Sequence, residues 1–552
     1  MVPPMIKVMR HIRLGSFNRQ QRIPSRLQLF AFMFSLMCLI LMVRTVEITV
    51  SSRGSEIGLA LSTTEYSPRR DIVDRHGRVL ATSVPVASLY ADPHHILDPL
   101  DAADKLHGLF PHLDKVALAA DLASRKRFVW VERNLTPKMQ QRVRDLFLPG
   151  LGFQKNYMRI YPQGHLAAHV LGYVGLDQDG LAGVEKYFDQ ELRDTSSQEP
   201  LQLSLDTGLQ YIVEAELQHG IETYSAKSGA GVILDVHTGE VLALASAPSF
   251  DSNQPDPSSS HGFNHATLGR YELGSVFKPI NTAIGLELGV ITPNTLIDAR
   301  EPIKVGRTRI RDYHAKNKWM TVAEVLTYSS NIGSVKIAQL FGSQLQQAFF
   351  NKLGLLKAPT IELPEVTGPD LPNDWDKPHD FARVSFGHSF ALSPLHFTQA
   401  MLPLFNGGFV VPASLRKGGS MGNREKVFSI RTTRQMRALM RMVVLHGSGQ
   451  RADVDGLGVI GKTGTAEKYN SNGRISSFVG AFPAQDPRFV VFMMLNEPKG
   501  TKETHGFATA GWVTAPLVRS VVAKTASMLR IESNFAEPST AGTAISYANG
   551  GG

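Results

Sequence analysis

Hydrophobic and polar positions give the chain three textures. From Leu27 to Val43 the run "LQLFAFMFSLMCLILMV" is interrupted only by Gln28 and Ser35. It is near the lower end of the roughly 17–25 residues that cross a bilayer, and the apolar residues beyond Arg44 extend it, so a single transmembrane anchor is expected over 27–48. "VRTVEITVSSRG" (Val43 to Gly54) offers no clear small-residue cleavage site, which argues against a removed signal peptide. The alternative, a buried helix of a soluble protein, rarely runs this long without charge. From Glu56 to about Pro200 short mixed segments alternate with turn glycines, and a mixed α/β domain is expected over 49–200.

From Leu201 the pattern tightens. "LQLSLD" alternates like a strand, and Thr207 to His219 has helical periodicity. "GVILDVHTGEVLALAS" places two apolar runs around His237-Thr238-Gly239-Glu240, which predicts a hairpin. A helix is expected at Ser275, and Thr321 with Glu324 reads as a capping box at the start of another. Strands follow over 456–466, 477–481 and 489–495, then a closing helix over about 515–531. The order implies an α+β domain over 201–532, a mixed sheet covered by helices. The Ala-, Ser-, Gly- and Thr-rich end, 533–552, is expected to be disordered.

Charge changes the picture little. The formal net charge is +9 over 552 residues, but Lys7, Arg10, Arg13, Arg19, Arg22 and Arg26 stand in the tail 1–26 without a single acid. Basic residues ahead of an apolar helix keep the N-terminus in the cytoplasm and put everything after about Ser51 outside. The excess therefore speaks for a membrane, not for nucleic acid. The one cysteine, Cys38, lies inside the apolar run, so no disulfide is expected. No metal and no cofactor are expected either: the histidines are scattered, and His94–His95 has no carboxylate or cysteine at ligand spacing. The cluster Arg69, Arg70, Asp71, Asp74, Arg75 reads as a structural salt-bridge network.

Three short motifs carry candidate chemistry. "YELGSVFKPI" sets Ser275 three residues ahead of Lys278, so a helical turn would put both on one face. The same residues fit a capped helix mouth, and "SLRK" at Ser414 to Lys417 repeats the spacing with no other sign of chemistry. "TYSSNIGSVKIA" holds Ser329-Ser330-Asn331 at a junction between two helical patterns, and "GVIGKTGTAEKY" holds Lys462-Thr463-Gly464-Thr465 on a strand. Singly, Ser275 reads as a cap, Lys278 as a solvated helix residue, Ser329 and Asn331 as turn formers, and Lys462 as a strand-end charge. In this order and spacing, Ser-x-x-Lys, Ser-x-Asn and Lys-Thr-Gly are the set of penicillin-binding proteins and serine β-lactamases.

The chain resembles the class B penicillin-binding proteins, monofunctional peptidoglycan D,D-transpeptidases, over nearly its whole length. "RRDIVDRHGRVLA" resembles the family's pedestal motif, "YPQGHLAAHVLGYVG" and "GLAGVEKYFDQEL" its second stretch, and "SSFVGAFPAQDPRFVVFMMLNEPK" the strands after Lys-Thr-Gly. Arg70 stands where the family commonly has glycine, and Leu273 where proline is usual before Gly-Ser. The resemblance implies a dimerisation-type pedestal beneath a penicillin-binding transpeptidase domain. Ser275 would be the nucleophile, Lys278 its base with its pKa depressed by Lys462, and Ser329 a proton relay. Asn331 would hold the substrate's backbone amide, and Thr463, Gly464 and Thr465 would receive the terminal carboxylate of a D-Ala-D-Ala stem peptide. The oxyanion would lie between the Ser275 and Thr465 N–H groups. His388, in "SFGHSFALSP", resembles a loop bordering the cleft and is given a structural role.

The implied partners are peptidoglycan stem peptides, lipid-linked precursor strands, β-lactams, the bacterial inner membrane, a multi-spanning glycosyltransferase and other division proteins. A cell-division enzyme fits the short N-terminal anchor, the compact pedestal and the lack of appended modules. An elongation-specific class B transpeptidase is the alternative. Two further readings are a β-lactamase-like hydrolase, for which no deacylation Glu at the usual spacing appears, and a silent scaffold, which intact Ser275, Lys278 and Lys462 argue against.

Overall fold

The computed structural model describes residues 32–42, 67–256, 258–306, 308–419, 424–468 and 473–531. Of the anchor expected at 27–48, residues 32–42 are helical, with Phe32, Met33, Phe34, Leu39 and Met42 exposed. They span about 16 Å at 1.5 Å per residue, and among the described residues no helix is long and apolar enough to cross a membrane. The basic tail and the end expected to be disordered lie outside the described residues. From Ser67 onward the chain forms one compact unit.

The pedestal is built on a five-stranded sheet ordered Val129–Leu135, Val79–Ala91, Ile72–Val73, Leu201–Gln202, with Leu151–Ile160 also pairing to Val79–Ala91. Helices Pro99–Leu109, Lys115–Leu122 and Pro137–Arg144 start at Asp98, Asp114 and Thr136, whose side chains accept from first-turn amides. They bury Ala103, Leu106, Leu118 and Leu122 against Leu89, Val131 and Leu135. Leu201–Gln202 runs parallel to Ile72–Val73, so the strand expected to open the second domain completes the pedestal's sheet.

The charged cluster at 69–75 is structural, but not as a network among its own members. Arg69 lies buried on Glu185 at 2.8 Å and on Asp189 at 2.6 Å, and the other oxygen of Glu185 takes Arg159 at 2.6 Å. Arg70 approaches Glu191, and Arg75 reaches Glu240 in the catalytic domain at 3.2 Å. These arginines find their carboxylates in distant stretches of chain, Arg69 and Arg70 in 185–191 and Arg75 at 240. His94 and His95 follow Asp92 on a short turn: the His95 Nδ1 is 3.1 Å from its carboxylate, and Arg127 holds the same oxygen at 3.2 Å.

The catalytic domain centres on strands ordered Ile460–Glu467, Arg474–Phe482, Phe489–Asn496, Ser228–Asp235 and Val241–Ala247, antiparallel throughout. Both faces are covered, so the strands read as continuous apolar runs: Val490 to Leu495 are all buried. Helices Thr207–Tyr224 and Ala510–Leu529 pack on one face through Val213, Leu217, Val518 and Val521. The other face belongs to the core that includes Phe277, Ile280, Phe397 and Met440. The capping box forms: Thr321 Oγ1 accepts from the Glu324 amide at 3.2 Å, and Glu324 accepts from the Thr321 amide at 2.9 Å. The closing helix begins at Ala510, ahead of the expected 515. Gly511 and Pro516 read as breakers, but Gly511 sits where a Cβ would be 2.7 Å from the Ser448 carbonyl, and Pro516 is held within the helix.

Candidate active site

The nucleophile candidate sits on a short 3-10 turn, Gly274–Phe277, that runs into helix Lys278–Glu287 with Pro279 in its first turn. The turn is pinned from both sides. Phe277 is buried in an aromatic cluster 4.9 Å from Phe397 and 5.5 Å from Phe390, centroid to centroid. Gly274, at φ +62°, donates its N–H to the Gly387 carbonyl at 3.0 Å. Gly387 is itself at φ +81°, and a Cβ there would meet the Gly274 oxygen at 2.0 Å. Ser275 caps nothing: no side chain caps either the turn or the helix. Its own N–H stands in the first turn, where helical amides have no internal partner.

Ser-x-x-Lys at 414–417 has a different fate. Ser414 is buried and donates to Glu362 at 2.8 Å, while Lys417 is exposed.

Lys278 is 1% exposed and Lys462 0%, so neither is a solvated surface charge. Lys278 Nζ donates to Asn331 Oδ1 at 2.7 Å, to the Ser329 carbonyl at 2.5 Å and to Ser329 Oγ at 3.2 Å. Lys462 Nζ donates to the same Ser329 Oγ at 3.0 Å and to the Thr463 carbonyl at 3.0 Å. The Ser329 hydroxyl thus takes both amines on its two lone pairs, which leaves its own proton to point elsewhere. Burial, reinforced by the charge of Lys462, holds the Lys278 amine well below the ordinary lysine value. Burial brings Lys462 down to about 7. Among the described residues Ser275 Oγ makes no hydrogen bond to Lys278, whose partners are Ser329 and Asn331.

Ser329 holds its position in a left-handed conformation, φ +60°, between helices Val322–Thr327 and Asn331–Gln339. The cap of the second helix is its neighbour Ser330, which accepts from the Gly333 amide at 2.9 Å and donates to Asp312 at 2.7 Å. With capping assigned to Ser330, Ser329 is free for other work. Asp312 also accepts from the Ile332 amide at 3.0 Å, and Asn331 Nδ2 donates to the Arg311 carbonyl at 3.0 Å. Asn331 here positions the lysine, with one amide proton left over.

Gly464 lets the Lys-Thr-Gly strand approach the nucleophile turn: a Cβ would lie 2.4 Å from the Leu273 carbonyl and 2.9 Å from Val276 Cγ1. Thr465 Oγ1 accepts from the Ala510 amide at 3.1 Å, so its hydroxyl proton remains available. Thr463 is buried with its hydroxyl against Ser448 Oγ. The structure therefore adds Ser448, Asp312 and Arg311 to the motif residues. The flanking glycines of "HGSGQ" were a signal for Ser448, whereas nothing local marks Asp312 or Arg311. The His388 Nδ1 is buried without a partner among the described residues, and burial, with the charges of Arg383 and Lys278, lowers the ring's pKa to about 4. No carboxylate bonds Ser275, Lys278 or Ser329 among the described residues.

A hydroxyl on a pinned turn, three residues ahead of a buried amine of lowered pKa, is the arrangement that an activated serine nucleophile needs. Residues 229–521 match the penicillin binding protein transpeptidase domain, and residues 64–208 match the penicillin-binding protein dimerisation domain. The chain is 38% identical over 483 residues to a probable peptidoglycan D,D-transpeptidase FtsI of Caulobacter vibrioides, covering 84% of this chain and 82% of that one. It is 30% identical over 499 residues to the peptidoglycan D,D-transpeptidase FtsI of Escherichia coli K12, covering 84% of each. A peptidoglycan synthetase of Bifidobacterium adolescentis shares the fold, with TM-score 0.68 at 22% identity over 86% of this chain and 97% of that one. The chain belongs to the class B penicillin-binding proteins.

Proposed function

We propose that this protein is a septal peptidoglycan D,D-transpeptidase working through an acyl-enzyme on Ser275. The observation that carries the reading is the single hydroxyl of Ser329 shared by Lys278 and Lys462 beside the pinned Ser275 turn. In its neutral form Lys278 keeps two N–H donors, for the Ser329 carbonyl and Asn331 Oδ1, and its lone pair takes the Ser275 Oγ proton as the oxygen attacks the penultimate D-Ala carbonyl. Catalytic hydrogen bonds of this kind tighten when substrate binds. The oxyanion is received by the amides of Ser275 and Thr465, where loss of one donor costs about 10²–10³ in rate. As the C–N bond breaks, the leaving D-Ala nitrogen gains a proton handed from Lys278 through Ser329. The free hydroxyl proton of Thr465, with Thr463, receives the terminal carboxylate. An amine of a neighbouring stem peptide then attacks the ester, Ser275 recovers its proton, and the cross-link is complete. Among the described residues no carboxylate bonds Ser275, Lys278 or Ser329 to serve as a deacylating base for water, so a penicillin adduct on Ser275 is expected to persist.

The residues over 27–48 anchor the enzyme in the inner membrane with the catalytic domain outside, and glycan polymerisation comes from a multi-spanning partner. The exposed apolar helix at 32–42 supports this topology. Fluorescent penicillin followed by peptide mapping tests the chemistry: a lasting adduct on Ser275 is expected, whereas label on Ser414, or label released within seconds, refutes it. A fluorescent fusion in live cells tests the role, with septal signal expected and lateral-wall signal favouring the elongation enzyme.

A further inference from the structure

Beside the Ser329 turn lies a cationic ridge that the reaction as described does not use. Residues 303–318 carry six Lys or Arg against one acid, Asp312. Asp312 is taken up by Ser330 and Ile332, and Lys318 by Glu324 at 2.7 Å. Among the described residues, Lys304, Arg309, Arg311 and Lys316 are exposed. Strands Ile303–Val305 and Thr308–Ile310 pair antiparallel with Lys304 directly opposite Arg309. Val305 and Ile310 are buried in a cluster with Val335 and Phe386, so alternation puts Lys304 and Arg309 on the solvent face. Both are exposed, and among the described residues neither has an ion pair. Like charges directly opposite destabilise a strand pair, so the hairpin tolerates a local cost that packing does not explain.

The ridge is tied to the catalytic turn. Arg311, exposed and likewise without an ion pair among the described residues, follows the hairpin, and its carbonyl is the acceptor for Asn331 Nδ2. Lys316 Nζ stands 5.0 Å over the ring of Tyr328, the residue before Ser329. We infer that this ridge selects stem peptides bearing free carboxylates on the residues that precede the reacting D-Ala-D-Ala end. The inference rests on the D,D-transpeptidase reading. The terminal carboxylate belongs with Thr463 and Thr465 on their strand, so cations on the Ser329–Asn331 side fit a second anion further along the same peptide. In a stem peptide such anions are the free carboxyl groups of its acidic and diamino residues.

The test compares acylation of Ser275, in the detergent-solubilised full chain, by two synthetic pentapeptides that differ only in free versus amidated internal carboxylates. The free-carboxylate peptide is expected to show a kcat/KM roughly two- to thirtyfold higher, the range for two exposed ion pairs, and the ratio should narrow in about 0.5 M salt. Lys304→Gln with Arg309→Gln should bring the ratio near one while fluorescent penicillin labels Ser275 at the wild-type rate. Lys304→Arg with Arg309→Lys should keep the preference. Equal wild-type rates for the two peptides, or a preference that survives the Gln pair, would overturn the inference. So would penicillin labelling with neither peptide reacting. Loss of penicillin labelling from the wild-type chain overturns the transpeptidase reading, and the selection with it.

Discussion

Gly464→Ala tests whether the contact between the Lys-Thr-Gly strand and the nucleophile turn sets the reaction geometry. The new methyl would start 2.4 Å from the Leu273 carbonyl, 2.8 Å from Ser477 Oγ and 2.9 Å from Val276 Cγ1. A carbon–oxygen contact is comfortable at about 3.3 Å, so strand and turn must part by roughly 0.9 Å. The obstacle is backbone, and the turn is held behind by Gly387 and Phe277, so little of that movement can be absorbed by a side chain. Overpacking of this kind costs about 1–3 kcal/mol. Displacing reacting groups by about 1 Å costs on the order of 10²-fold in rate. Second-order acylation by a fluorescent penicillin should therefore fall about a hundredfold, while urea unfolding shows a protein still folded at the assay temperature. Acylation within about threefold of wild type would mean that the site tolerates the separation and that the contact does not set its geometry.

Lys278→Ala should lower acylation by about 10²–10⁴, the range for loss of a positioned base, whereas Lys462→Arg keeps charge but not the Ser329 geometry and should leave partial activity; stopped-flow labelling separates the two. Acylation should rise with pH through neutrality, because burial brings Lys462 to about 7 and Lys278 well below its ordinary value. Stability should follow the same direction: the unfolded chain holds the Lys462 proton up to the ordinary lysine value while the folded one has released it above about 7, so the unfolding free energy from urea melts should climb by about 1.4 kcal/mol per pH unit in that window and flatten below it. Glu185→Gln leaves Arg69 and Arg159 buried without their carboxylate and should cost about 3–5 kcal/mol in a urea melt, with an unchanged midpoint counting against the buried triad.

What the sequence made legible was local. The hairpin at 237–240, the capping box at 321–324 and the terminal helix each depend on neighbours within a few residues, and so does the spacing of Ser275 to Lys278. That Lys278, Ser329 and Lys462 come together was legible only through the family resemblance, and their sharing of one hydroxyl was not. Those contacts join residues far apart in the chain, and they depend on Gly464 and Gly387 letting backbones meet. Ser330, to which the sequence assigned no role, is the cap of the helix that follows. The cluster at 69–75 was legible as structural, but its partners were not: Arg69 and Arg70 turn to the 185–191 segment and Arg75 to Glu240.

Two residues, Leu201 and Gln202, belong to the pedestal's sheet, and the next two are already bonded to the catalytic domain: Leu203 bridges Arg416 and Ser204 donates to the Leu415 carbonyl at 2.7 Å. There is no residue between the two bodies that serves only as a tether. Cutting the gene at this boundary would strip one sheet of an edge strand or leave the other without its support, so neither half is a portable module. A graft that pairs this enzyme with a foreign pedestal would have to supply both the Ile72 partner for Leu201 and the Leu415 acceptor for Ser204 in one register.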